Sequence, residues 1–193
     1  MDILELSKQR QDIAWRLIEE GRLLQLWEEI GGQIYIVGSL KSGLLIHRDI
    51  DIHVYTKKVS IEESFSVMAK LAERLHLTSV QYGDLLDTEE ECLEWHSLFE
   101  DSQKESWKLD LIHIRKGSKY DGVVEEVTQA ITDKLTPEIQ ETILRIKYDM
   151  PKDALIPGIE VYHAVFTGNI KTYEELIHWR RNNPLKNSLD WLP

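Results

Sequence analysis

The chain has 193 residues, 42% of them hydrophobic, and a formal net charge of −11. That is enough for one domain, or a domain with a helical appendage, around its own core. No apolar run approaches the ~20 residues of a membrane span, Met1-Asp2-Ile3-Leu4-Glu5 lacks the basic and apolar regions of a secretory signal, and one cysteine, Cys92, excludes an intrachain disulfide or a cysteine-based zinc cage, so a cytoplasmic protein with no membrane association is expected.

Ile13, Leu17, Leu24 and Trp27 recur at helical spacing, which makes the amino-terminal segment helical, divided at Gly21 and closed by Gly31-Gly32. Ile34-Tyr35-Ile36-Val37 then reads as a strand ended by Gly38-Ser39, and a second apolar run leads into Asp49-Ile50-Asp51-Ile52-His53-Val54. Side chains alternate along a strand, so Asp49 and Asp51 share one face while Ile50, Ile52 and Val54 anchor the other. Two carboxylates held this way suit a hard divalent cation, which takes oxygen ligands. Glycine at the turn lets the backbone approach a ligand, and Ser39, at the head of a short helix, adds a donor for phosphate oxygens.

Ser60-Ile61-Glu62-Glu63 has the capping-box pattern, and Ile61, Phe65, Met68, Leu71 and Leu75 mark one face of a crossover helix whose returning strand is expected beside the sheet. Thr78 to Tyr82, Cys92 to Phe99 and Ser106 to Ile114 read as shorter strands that make the sheet mixed. The last holds Asp110 between Leu109 and Leu111. Beyond Lys116-Gly117-Ser118-Lys119 the pattern is helical. Val123, Val127, Ile131 and Leu135 mark one helix, and Thr136-Pro137 starts another carrying Ile139, Ile143 and Ile146. Pro151 and Pro157 punctuate a connector, a short helix from Ile159 to Phe166 stops at Gly168, and Thr172-Tyr173-Glu174-Glu175 caps a last one before an irregular tail from Asn182 to Pro193. The expected fold class is α/β (α+β): a mixed sheet flanked by helices over residues 1–118, and a helical region, 119–193, that packs on it and offers one wall of an acceptor cleft.

The ordered set of Gly38-Ser39, Asp49-Ile50-Asp51 and a later strand aspartate resembles the DNA polymerase beta-like nucleotidyltransferase superfamily over roughly Ile34 to Ile114. The resemblance implies a nucleotidyltransferase-like fold. It also implies Mg²⁺-dependent transfer of a nucleoside monophosphate from an NTP such as ATP to an acceptor hydroxyl, with release of pyrophosphate. Two Mg²⁺ ions are implied, with Mn²⁺ as a substitute. Asp49, Asp51 and Asp110 become the catalytic metal ligands; Asp84 and Asp87 lie near enough in sequence to compete for the third position, but Asp110 has the strand context. Gly38 and Ser39 become the phosphate contacts, with Lys41 and Arg48 as basic partners. His47 and His53 are rejected as ligands, since an oxygen-preferring ion has no reason to recruit them. Cys92 reads as an inert buried thiol, and the scattered tryptophans as packing.

Charge bears on the acceptor. Proteins that grip nucleic acid through its phosphates present a basic surface, whereas this chain is acidic, most densely at Asp84, Asp87, Glu89, Glu90, Glu91, Glu94, Glu100, Asp101 and Glu105. That stretch reads first as a solvated acidic surface. A nucleic acid acceptor is therefore not expected, and a small molecule or a protein is. His47-Arg48-Asp49-Ile50-Asp51 resembles the corresponding strand of antibiotic-modifying nucleotidyltransferases acting on lincosamides and aminoglycosides. An antitoxin-like protein adenylyltransferase and a nucleotide-binding regulatory module without turnover remain as alternatives.

Overall fold

The computed structural model describes residues 2–151, 153–185 and 191–193. They form, in order, α1 (Ile3–Glu20), α2 (Leu23–Glu28), β1 (Gln33–Val37), α3 (Gly38–Lys41), β2 (Asp49–Thr56), α4 (Ile61–Leu75), β3 (Ser79–Asp84), β4 (Cys92–Glu100), β5 (Ser106–Arg115), α5 (Val123–Lys134), α6 (Pro137–Asp149), α7 (Gly158–Gly168) and α8 (Tyr173–Asn182). Four helices start on a side-chain cap: Asp2 accepts from the Leu4 amide, Ser60 from Glu63, Thr136 from Ile139 and Thr172 from Glu175. Each supplies an oxygen to an amide that has no partner within its helix. No helix among the described residues is long and apolar enough to cross a membrane.

The helix break expected at Gly21 is present, but the left-handed residue is Arg22, with φ +51°. Gly21 is small for a packing reason: a Cβ there would lie 3.0 Å from Leu75 Cδ2 of α4. Likewise α7 runs through Gly168 and ends on left-handed Asn169. Trp179 of α8 fills the space a side chain on Gly168 would need.

The sheet is mixed, in the order β1-β2-β5-β4-β3, parallel only between β2 and β5. Helix α4 returns the chain to the sheet, as expected, and delivers β3 to its far edge, with β5 and β4 between it and β2. The reason lies in composition. Ser79-Val80-Gln81-Tyr82-Gly83-Asp84 is polar and largely exposed, which suits an edge. β5, with Trp107, Leu109 and Leu111 fully buried, takes the central place next to β2. β4 is a full interior strand; the acidic residues crowding its start lie in the preceding loop, where Glu91 pairs with Arg115 and Glu89 with Lys119.

Alternation sends one face of the sheet into a core with α1, α2 and α4. Ile50, Ile52 and Val54 of β2 meet Leu109 and Leu111 of β5, with Trp27 and Trp95 among the fully buried side chains. A second core joins α5 through α8 to Ile3 of α1 and to Leu44 and Ile46. The gap between turn and aspartates is thus no strand extension. It is a loop whose Leu45 enters the first core while Leu44 and Ile46 enter the second. Its buried carbonyls need donors, and side chains supply them: Gln140 to Gly43 (3.1 Å), Lys147 to Leu44 (2.8 Å) and Arg10 to Ile46. Of the expected irregular tail, residues 183–185 and 191–193 have no regular structure, with Trp191 packed 5.1 Å from the His163 ring, while 186–190 lie outside the described residues.

Candidate active site

The register of two parallel strands builds the site. Asp51 of β2 pairs with Asp110 of β5, and Asp49 with Lys108. Side-by-side residues of neighbouring strands point to the same face, with the strands about 4.8 Å apart. So Asp49, Asp51, Lys108 and Asp110 form one patch on the face away from the first core. Across β4, His96 stands directly opposite Asp110.

The Gly38-Ser39 turn closes over this patch from β1. Ser39 Oγ lies 3.3 Å from Asp49 Oδ1. Gly38 has φ +63°, and a Cβ on it would lie 2.6 Å from Asp51 Oδ2. Two demands therefore coincide: a left-handed backbone and contact with a carboxylate, both of which only glycine meets without strain. The Gly38 amide donates to Thr128 Oγ1 of α5 at 3.3 Å. Helix α5 is itself fastened to β2, because Glu125 accepts from Tyr55 Oη at 2.8 Å and sits 3.1 Å from His53 Nδ1. His53 thus serves a structural contact, in keeping with its rejection as a ligand.

A cleft of about 530 Å³ opens above the patch. Gly38, Ser39, Asp49, Asp51, Lys108 and Asp110 make its floor, while α5, α6 and α7 supply an aliphatic wall with Ile131, Met150 and Ile159. Lys147, only 4% exposed, reaches the cleft from α6, its ammonium 5.7 Å from the Tyr162 ring centre.

Electrostatics mark Asp51. Burial, then the neighbouring charges of Asp49 and Asp110, push its carboxyl up to about 7, against the opposing pull of Lys147 and Lys108. At Asp110 both oxygens are engaged, Oδ2 by Lys108 Nζ at 2.5 Å and Oδ1 by His96 Nδ1 at 2.8 Å. Burial works against the Lys108 charge, but the bond to Asp110 and the fields of Asp51 and Asp49 raise its pKa overall. His47 borders the cleft with its pKa lowered, first by desolvation and then by Lys147.

Gly38, Ser39, Asp49, Asp51 and Asp110 are therefore brought together. Lys41 and Arg48 do not line the cleft: Lys41 is exposed on α3, and Arg48 pairs with Glu105 at 3.0 Å. Asp84 and Asp87, the competitors for the third position, lie outside its lining too. The sequence reading missed Lys108, Thr128 and Lys147. Lys108 was legible, since it precedes Asp110 by two positions and so shares its face. Lys147 left a weaker trace, a lysine on the helical stripe of Ile143, Ile146 and Met150. Thr128 left none, because only tertiary packing sets it on the turn.

No family model matches the chain, and no curated protein does. Similarity appears at the level of structure. Cid1 poly(U) polymerase bound to MgATP superposes with a TM-score of 0.52 at 12% identity, over 84% of this chain and 49% of that one. The STING-associated CdnE c-di-GMP synthase from Capnocytophaga granulosa gives 0.51 at 10% identity, over 96% of this chain and 72% of that one. The chain spans about half the length of the poly(U) polymerase it matches. These likenesses, the mixed sheet and the placement of the Gly38-Ser39 turn over the strand aspartates agree: the chain has the fold of the DNA polymerase beta-like nucleotidyltransferases.

Proposed function

We propose that the protein is a metal-dependent nucleotidyltransferase, moving a nucleoside monophosphate from an NTP to an acceptor hydroxyl with release of pyrophosphate. One observation carries this reading: the β2–β5 register places Asp49, Asp51 and Asp110 on one cleft floor, beneath a turn where only glycine fits against the Asp51 carboxylate. The donor set fits a hard cation, because carboxylates are its preferred ligands and Asp51, its carboxyl pushed up first by burial, also sits among the negative charges of Asp49 and Asp110. Asp49 and Asp51 would hold Mg²⁺ or Mn²⁺. When bound, such an ion polarises the α-phosphate and offsets the charge that develops on it. The chain's own contribution is positioning. Gly38 and Ser39 receive the phosphates, the buried Lys147 ammonium balances their charge, and the aliphatic wall excludes water from the nucleoside side.

The acceptor class stays open to an antibiotic-like small molecule, a protein or a polynucleotide. Acidic composition argued against the last, but the chain shares its fold with a poly(U) polymerase and a c-di-GMP synthase, and a shared fold lends that exclusion no support. The acidic stretch is largely absorbed by surface pairs and turns, as where Asp101 accepts from the Gln103 and Glu105 amides. It is therefore weak ground for a cationic acceptor.

The test is pyrophosphate release from each NTP with Mg²⁺ or Mn²⁺, across aminoglycosides, lincosamides, candidate proteins, nucleotides and oligoribonucleotides. Acceptor-dependent release that falls at least about 100-fold in Asp49→Asn, with circular dichroism unchanged, is the expected result. Mg²⁺-dependent nucleotide binding without release on any acceptor would favour the regulatory alternative. Absence of both would overturn the reading.

A further inference from the structure

Asp110 is the point where this site departs from a two-ion arrangement. A third carboxylate completes a second ion only if an oxygen faces the first two ligands unencumbered. Here Lys108 Nζ lies 2.5 Å from Asp110 Oδ2, and His96 Nδ1 lies 2.8 Å from Oδ1. Among the described residues, no three His, Cys, Asp or Glu side chains converge closely enough to hold an ion. The engagement of Asp110 is built in. Lys108 emerges from β5 paired with Asp49 and runs along the face to Asp110, so its half-exposed side chain sets the ammonium against the acidic patch. His96, opposite Asp110 on β4, has its other ring nitrogen 3.8 Å from Glu94 Oε2, an arrangement that orients the ring.

Resting on the nucleotidyltransferase reading above, we propose that the site holds one divalent cation, on Asp49 and Asp51, and that the Lys108 ammonium, paired with an Asp110 carboxylate whose other oxygen His96 engages, occupies the position of the second. The charge logic is direct. A monovalent ammonium in salt-bridge contact with Asp110 repels a dication at the same carboxylate and already neutralises it. A tethered ammonium also sits in place before substrate arrives, which spares this position the cost of recruiting an ion. Lys108 is thereby a positioning charge on the cleft floor, and Asp110 its anchor rather than a metal ligand.

The experiment counts Mn²⁺ bound by the full chain, with and without ATP, by electron paramagnetic resonance, taking Asp51→Asn as the background for the acidic surface. The wild type is expected to bind one Mn²⁺ above that background, with no spin–spin coupling. Lys108→Met, and Lys108→Gln as a second variant should the first fail to fold, are expected to bind two, with a coupled spectrum. Two coupled ions in the wild type would show that Lys108 swings away, overturning this inference while leaving the nucleotidyltransferase reading intact. One ion in both lysine variants would equally remove Lys108 from the second position. No Mn²⁺ above background in the wild type, even with ATP, would bring down the nucleotidyltransferase reading itself.

Discussion

At Gly38 a conformational demand and a contact demand fall on one atom, which makes it the most sensitive single position. Alanine there must adopt φ near +63° and bring Cβ within 2.6 Å of Asp51 Oδ2 unless the carboxylate moves. Gly38→Ala is expected to lower stability by about 1–3 kcal/mol in urea unfolding, with a larger proportional loss of NTP turnover. His113 is the other residue with a sharp consequence. It is fully buried, edge-on to Trp27 at 5.0 Å, and its Nε2 lies 2.8 Å from Thr56 Oγ1. The Thr56 hydroxyl donates its one proton to the Lys58 carbonyl, so Nε2–H must be the donor to it, and Nδ1 has no partner. A proton on Nδ1 would be buried unpaired, and desolvation holds the pKa down at about 4. The unfolded chain binds that proton near pH 6.5, so stability is fully present above pH 6.5 and is lost as pH falls towards 4. His113→Phe should remove up to roughly 3 kcal/mol of that acid-side decline, read from unfolding curves at pH 7 and pH 4.5.

At the scale of elements, helices α4 and α5 separate stability from function. Ser60 caps α4 on the face of the sheet away from the cleft. Ser60→Ala should cost about 1 kcal/mol and leave turnover untouched. Thr128 of α5 accepts from the Gly38 amide and lines the cleft. Thr128→Val keeps the shape but removes the acceptor, so we expect a similar stability loss of about 1 kcal/mol together with a several-fold rise in KM for NTP. Urea unfolding and steady-state kinetics on both variants check the contrast; equal kinetic effects would dissolve it.

For the whole molecule, the two cores are interlocked rather than stacked end to end. The loop between turn and aspartates sends Leu45 into one and Leu44 and Ile46 into the other, while Ile3 of α1 reaches the second. A fragment of residues 1–118 would expose Ile3, Leu44 and Ile46 and leave the Leu44 carbonyl without Lys147. Burial of each large aliphatic side chain is worth about 1.5–3 kcal/mol, a large share of the stability of a small domain. The fragment is expected to show no cooperative thermal transition by calorimetry, whereas the full chain shows one. The helical region is thus core and cleft wall at once.

The sequence by itself determined the local elements and the pairing of two carboxylates on one face of the β2 strand. Period-two alternation placed Asp49 and Asp51 on one face, and helical stripes with the Ser60, Thr136 and Thr172 caps set α4, α6 and α8. These are short-range properties, written in neighbouring residues. What only the tertiary structure decided was long-range: that β5 rather than β3 lies beside β2, that Lys147 and Thr128 face the cleft, and that Asp110 is held by Lys108 and His96. Strand order follows from which faces must be buried once all elements compete for one core, and spacing along the chain does not contain that competition. The identity of a carboxylate is legible in one letter; which cation answers it is settled by the strands that pack on either side.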